Sequence, residues 1–144
     1  MNIEIVITQD DVDAYNMQYF YAHPKAKKAP IKGPQHPSLN WYCRAGNVEV
    51  NNTKQAWKGF MLFILEKNKL LNKRIEKCAM IYRTFFKDKR THDDDNVTPK
   101  FILDGLTEGG FLVADDYQHL NPLTTFCGYD KLNPRIELVF IFDE

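Results

Sequence analysis

Two short acidic stretches hold the residues whose spacing suits chemistry. Asp93-Asp94-Asp95-Asn96 stands just ahead of a helix signal, and Asp115-Asp116 follows about twenty residues later. Carboxylates brought together either raise one another's pKa or share a hard cation through oxygen ligands. The chemistry this predicts is metal-assisted phosphoester hydrolysis, with Asp93, Asp95 and Asp116 holding Mg²⁺ and Mn²⁺ able to substitute. Lys100 would steady the charge that develops on the phosphoryl oxygens, a use that explains a cation at a helix start where it opposes the macrodipole. His92 and His119 flank the two stretches as further ligands or proton carriers, or as ordinary hydrogen-bonded histidines. On the residues alone a solvated loop with one helix-capping aspartate stays open. An EF-hand does not: counting from Asp93 or Asp94, the sixth position is not glycine and no glutamate closes the loop. Walker A, dinucleotide and nucleophile-elbow motifs are absent too, so no organic cofactor is expected.

The elements around these residues must bring them together. Thr98 reads as a helix cap with Pro99 at the first helical position, Ile102 and Leu106 share a face, and Gly109-Gly110 ends the element. Residues 111–114 read as a short strand. A nine-residue helix advances about 13 Å at roughly 1.5 Å per residue, and four extended residues return about 13 Å. Sequence spacing therefore permits Asp115 and Asp116 to arrive beside residues 93–95.

Elsewhere, Ile3, Ile5 and Ile7 alternate through Asn2–Thr8 as a strand, and residues 76–86 and 135–142 read as two more. Pro24, Pro30, Pro34, Pro37 and Gly33 make residues 23–38 a long irregular loop. Asn52-Thr53 offers a cap for a helix to about Lys73, with Trp57, Phe60, Met61, Ile64 and Leu65 at helical spacing. The expected fold is α/β or α+β: a single compact domain over residues 1–144, with a mixed sheet packed against two main helices.

At 144 residues the chain can bury one core unaided. No apolar run is long enough to span a bilayer and no leader opens the chain. Cys43, Cys78 and Cys127 lack any CxxC spacing and read as reduced, mostly buried thiols, so a cytoplasmic protein is expected. Net charge is zero, yet Glu49 is the only acid between Ala14 and Leu65, against Lys25, Lys27, Lys28, Lys32, Arg44, Lys54 and Lys58. Fourteen of the nineteen acids lie from Glu66 onward, so a basic surface can attract phosphates toward an acidic metal site. Lys25, Lys27, Lys28 and Lys32 are the expected DNA contacts, unless they only solvate the loop. Trp41, Tyr42 and Trp57 suit base stacking or core packing.

Together these motifs resemble the RusA family of Holliday junction resolvases. The family pattern is an Asp-x-Asp-Asn, a lysine, a Leu-Asp-Ala-Leu-like helix, a glycine turn and an Asp-Asp pair. It reads here as Asp93-Asp94-Asp95-Asn96, Lys100, Leu103-Asp104-Gly105-Leu106, Gly109-Gly110 and Asp115-Asp116. Pro37-Ser38-Leu39-Asn40-Trp41-Tyr42 is similar to the family's Pro-x-x-Asn-x-Tyr segment, so the resemblance covers nearly the whole chain. Lys100 stands four residues after Asn96 rather than the three often seen. The resemblance implies a homodimeric, Mg²⁺-dependent endodeoxyribonuclease that makes paired nicks in four-way junctions during DNA recombination and repair. It also implies Asp93, Asp95 and Asp116 as the catalytic metal set with Lys100 beside them. A non-catalytic branched-DNA-binding protein and a nuclease for other branched DNA are the alternatives.

Overall fold

The computed structural model describes residues 1–143; the backbone of Asp94 is included and its side chain is not. The orientation expected for Asp94, turned from the metal or capping the helix, therefore lies outside what is described.

Strand β1 (Asn2–Thr8) buries Ile5 and Ile7 and turns Glu4 and Val6 outward, as its alternation predicts. Fully burying one such side chain stabilises the fold by about 1.5–3 kcal/mol. Thr8 ends the strand and caps helix α1 (Gln9–Ala22) through a capping box with Asp11. Asp11 is buried and pairs with Lys67 across the fold. Helix α1 was not expected, because only Asp11 and Val12 of its residues are buried and no apolar stripe marks it.

Residues 23–38 form the irregular segment that their prolines predict. Ile31 anchors it in the core, and the Asn16 side chain bonds both the Ile31 carbonyl (2.8 Å) and its N–H (3.3 Å). Ser38 caps the short helix α2 (Leu39–Arg44). Helix α3 (Asn47–Lys67) begins five residues before the expected Asn52-Thr53 cap and stops short of Lys73. Gly46 holds the extended N-cap backbone, and Glu49 in the first turn suits the macrodipole. The β-branched Val48 and Val50 had hidden that turn.

Strand β2 (Cys78–Phe86), a 3-10 turn (Asp94–Asn96), helix α4 (Lys100–Glu108), strand β3 (Leu120–Tyr129) and strand β4 (Arg135–Ile141) complete the chain. The sheet order is β1-β4-β2-β3; β4 is antiparallel to both its neighbours and β2 is parallel to β3. The mixed sheet and α/β class are as expected, with four α-helices among the described residues instead of two main ones.

Helices α3 and α4 run side by side over the sheet face that carries Ile5, Ile7, Met80, Tyr82, Leu138 and Phe140. Gly105 permits the approach: a Cβ there would stand 2.5 Å from the Met61 Cβ. Two boundaries near the acidic stretches differ from expectation. Pro99, not Thr98, is the N-cap of α4, so Lys100 is its first residue. Residues 111–114 form no strand, only a bridge between Leu112 and Ile75, because Gly110 at φ +71° hooks the chain onto the turn after α3. No helix among the described residues is long and apolar enough to cross a membrane.

Candidate active site and its surroundings

After β2 the chain turns at residues 87–92 and folds back, so that Asp93 and His92 line a cavity of about 240 Å³ with Tyr82, Thr84 and Phe86 of the strand. His92 stacks on Phe86 with centroids 3.6 Å apart, and its Nε2 lies 3.3 Å from Asp88. Hydrogen bonds from Arg90 and then His92 hold the Asp88 carboxyl below its usual range. This histidine therefore secures the loop that leads into the acidic run.

Asp93 and Asp95 are both exposed, and the turn they belong to packs against α2 and β3. Asn96 fastens that turn: its Oδ1 accepts from the Asn40 N–H at 2.9 Å. Lys100 is exposed, with its ammonium 5.2 Å from the centroid of the Tyr42 ring. The segment 37–42 and the segment 93–100 are thus joined at two points, Asn40 to Asn96 and Tyr42 to Lys100.

His36 is the residue that sequence reasoning missed. Its ring lies between Trp57 and Phe101, with centroids at 5.2 and 5.3 Å. The α4 backbone N–H of Phe101 donates to Nε2 at 3.0 Å, while Nδ1 lies 2.7 Å from the Pro37 carbonyl. An acceptor at Nε2 and a donor at Nδ1 together require the neutral ring, one fixed tautomer. Burial lowers its pKa to about 4, against the opposing pull of the Pro37 carbonyl. The imidazole does the capping work that neither Thr98 nor Pro99 performs, since α4 has no side-chain cap from its own N-cap residue. The contact spans 65 positions, so no local signal marks it.

The second acidic stretch sits in a different setting. Because β2 and β3 are parallel and Cys78 partners Leu120, Asp116 lies by the beginning of β2, whereas Asp93 folds back to a cavity beside Tyr82, Thr84 and Phe86 further along it. Asp116 closes a small turn, accepting from the Gln118 N–H at 3.0 Å, with His119 Nδ1 at 2.6 Å. Those bonds, His119 first, lower the Asp116 pKa, and the carboxylate remains solvated. Asp115 faces a shallow cavity of about 210 Å³ with Lys54, Lys58, Asp104, Thr107 and Glu108. Among the described residues no three His, Cys, Asp or Glu side chains are gathered as a metal site. The donor types themselves fit a hard cation, since all three candidates offer exposed carboxylate oxygens.

Lys25, Lys27, Lys28 and Lys32 are all exposed along the irregular segment. Beside it a larger cavity, of about 360 Å³, lies between the segment and helices α2 and α3 and is lined by Trp41, Trp57, Pro37 and Glu49. Trp57 is nearly buried and joins the core, so of the aromatic residues proposed for stacking it serves packing. Among the described residues no disulfide forms; Cys78 alone is fully buried, Cys43 is exposed and Cys127 is intermediate, so the thiols are less buried than expected. No family model matches the chain, and no curated protein matches its sequence.

Proposed function

We propose that the chain is a Mg²⁺-dependent endodeoxyribonuclease of branched DNA, acting as a homodimer on four-way junctions in recombination and repair, in the manner of the RusA family. The observation that carries the reading is the double join between segments 37–42 and 93–100, through Asn40–Asn96 and Tyr42–Lys100. These are two of the segments whose motifs carry the resemblance, and they lie 50 or more residues apart in sequence. The join ties the turn that bears exposed Asp93 and Asp95 to a helix that follows the lysine-bearing segment, and a polyanionic substrate and a cation need both acidic and basic groups.

In this mechanism Asp93, Asp95 and Asp116 would hold the cation. A bound Mg²⁺ would polarise the scissile phosphate and lower the pKa of a water. Asp93 and Asp95 orient through the Asn96 anchor, which fixes the turn that bears them. Asp116 is an exposed carboxylate, ionised at neutral pH, and His119 and then the Gln118 N–H lower its pKa further. Lys100 reaches toward phosphoryl oxygens from the first turn of α4, whose placement depends on His36. Lys25, Lys27, Lys28 and Lys32 track flanking phosphates. Two copies related by a two-fold would set two such sites against opposed strands of a symmetric junction.

A second reading, a branched-DNA-binding protein without cleavage, is favoured by the engagement of Asp116 with His119 in a turn separate from Asp93 and Asp95. A substrate panel decides between them. Labelled four-way junction, fork, flap and plain duplex are incubated with Mg²⁺ or with a chelator. The nuclease reading expects paired nicks in the junction only with Mg²⁺. Tight junction binding with no nick under Mg²⁺ or Mn²⁺ supports the binding-protein reading, and faster cutting of forks or flaps supports the related nuclease.

A further inference from the structure

Residues 35–38 form a thin partition. Gln35 and Pro37 face the 360 Å³ cavity, His36 faces the acidic cleft, and Ser38 lines both. Gln35 holds the partition to the sheet, donating from Nε2 to the Phe85 carbonyl at 2.7 Å and accepting from the Thr84 hydroxyl. The larger cavity is therefore a preformed space adjoining the acidic one, of a size that takes small ligands.

Its chemistry is specific. Glu49, the only acid between Ala14 and Leu65, lines it and lies at the edge of the Trp41 indole, whose Nε1 donates to Oε1 at 3.3 Å. Trp41 meets Phe101 at 6.2 Å and 85°, is partly exposed and lines the cavity. Lys32 stands at the rim and continues the run of Lys25, Lys27 and Lys28. An aromatic face, a carboxylate acceptor in its plane and a cation at the rim match the three parts of a nucleotide. The base has a π-face and amine donors, and its phosphate is anionic.

We propose that this cavity holds an unpaired nucleotide next to the branch point, its base on Trp41, an exocyclic amine on Glu49 and its phosphate toward Lys32. This rests on the reading of the chain as a protein of branched DNA, and supplies what that reading lacks, a source of base preference. Cytosine, adenine and guanine carry an exocyclic amine that a carboxylate accepts from. Thymine has none, and its one ring N–H lies between two carbonyls that repel a carboxylate.

The test uses intrinsic tryptophan fluorescence at pH 8 in chelator, so that binding is read without cleavage. Oligo(dC) and oligo(dT) of equal length are titrated into the full chain, with oligoproline as the competing ligand class. Oligo(dC) is expected to quench the fluorescence and to bind at least 5-fold more tightly than oligo(dT). Read instead by anisotropy of end-labelled oligo(dC), Trp41→Ala should weaken binding by roughly 10-fold or more, and Trp41→Phe should restore most of it. Glu49→Gln should erase the dC over dT preference, raising oligo(dT) affinity toward that of oligo(dC), because the amide both donates and accepts. Equal binding of the two oligonucleotides without quenching, unaltered affinity in both Trp41 variants, or quenching by oligoproline alone would overturn the proposal. Junction nicking measured in parallel separates the two claims: base-dependent quenching without nicking removes the nuclease and keeps the pocket, and nicking without quenching does the reverse.

Discussion

The partition at residues 35–38 divides two cavities that the same chain builds by different means. On one side, Trp41, Trp57, Pro37 and Glu49 shape a space from packed rings and a hydrogen-bonded carboxylate. On the other, Asp93 stands exposed at the edge of a space built on Tyr82, Thr84 and Phe86. The first is preorganised and carries a cation at its rim. The second depends on a short anchored turn, and the Asp116 proposed to join it comes from another turn. The contrast sets a preorganised aromatic cavity beside acidic residues carried on two separate exposed turns.

Perturbing one side should leave the other intact. The largest effect is expected from Asp116→Asn, which should lower junction nicking by roughly 10²–10³-fold while junction affinity holds or rises, because a negative charge near phosphate is removed. Unchanged nicking would remove Asp116 from the acidic side. Replacing Lys25, Lys27, Lys28 and Lys32 together with alanine should weaken binding and flatten the log affinity against log salt slope by up to about 3.6, or 0.9 for each of four contacts. An unaltered slope would mean that the segment is only solvated.

His36 tests the partition itself. Its folded pKa, about 4, lies below the ordinary histidine value, so the unfolded chain binds a proton that the native chain refuses. Stability should therefore fall as pH drops from about 6.5 toward 4, by roughly 1–3 kcal/mol given a partly accessible residue. His36→Phe should remove that dependence from chemical denaturation curves, at the expense of the Phe101 N–H partner. A curve equally steep in the variant would assign the acid sensitivity to other groups. The smallest effect is expected from Asn96→Ala, about 0.5–1.5 kcal/mol from losing the bond to Asn40. Nicking should drop with it while the tryptophan cavity keeps its ligand, and a parallel loss of both would mean that the two sides are one unit.

Much of this was legible beforehand, for identifiable reasons. Strands β1, β2 and β4 announce themselves because one face of each is buried, as Ile5 and Ile7 or Leu138 and Phe140 show. The core stripe of α3 reads at helical spacing through Trp57, Phe60, Met61, Ile64 and Leu65. Strand β3 was missed because it is an edge strand, mostly exposed, and carries Pro122, which edges tolerate. The acidic residues were legible as types, yet their setting was not. Asn40 with Asn96 and His36 with Phe101 are contacts across 56 and 65 positions, set by how α2 and α4 pack. The tryptophans were visible as candidates for stacking or for core, and only the packing assigns Trp57 to the core while leaving Trp41 beside Glu49.

In the proposed nuclease the exposed aspartates of the anchored turn cut DNA. Asp95→Asn tests it most directly, assayed on a four-way junction for nicking in Mg²⁺ and for binding in chelator. Wild-type protein should nick the junction only with the cation, and the variant should lose nicking while binding the junction at least as tightly. Nicking that persists in the variant, or a wild-type protein that binds the junction and never cuts it, would mean that these aspartates do not cut DNA.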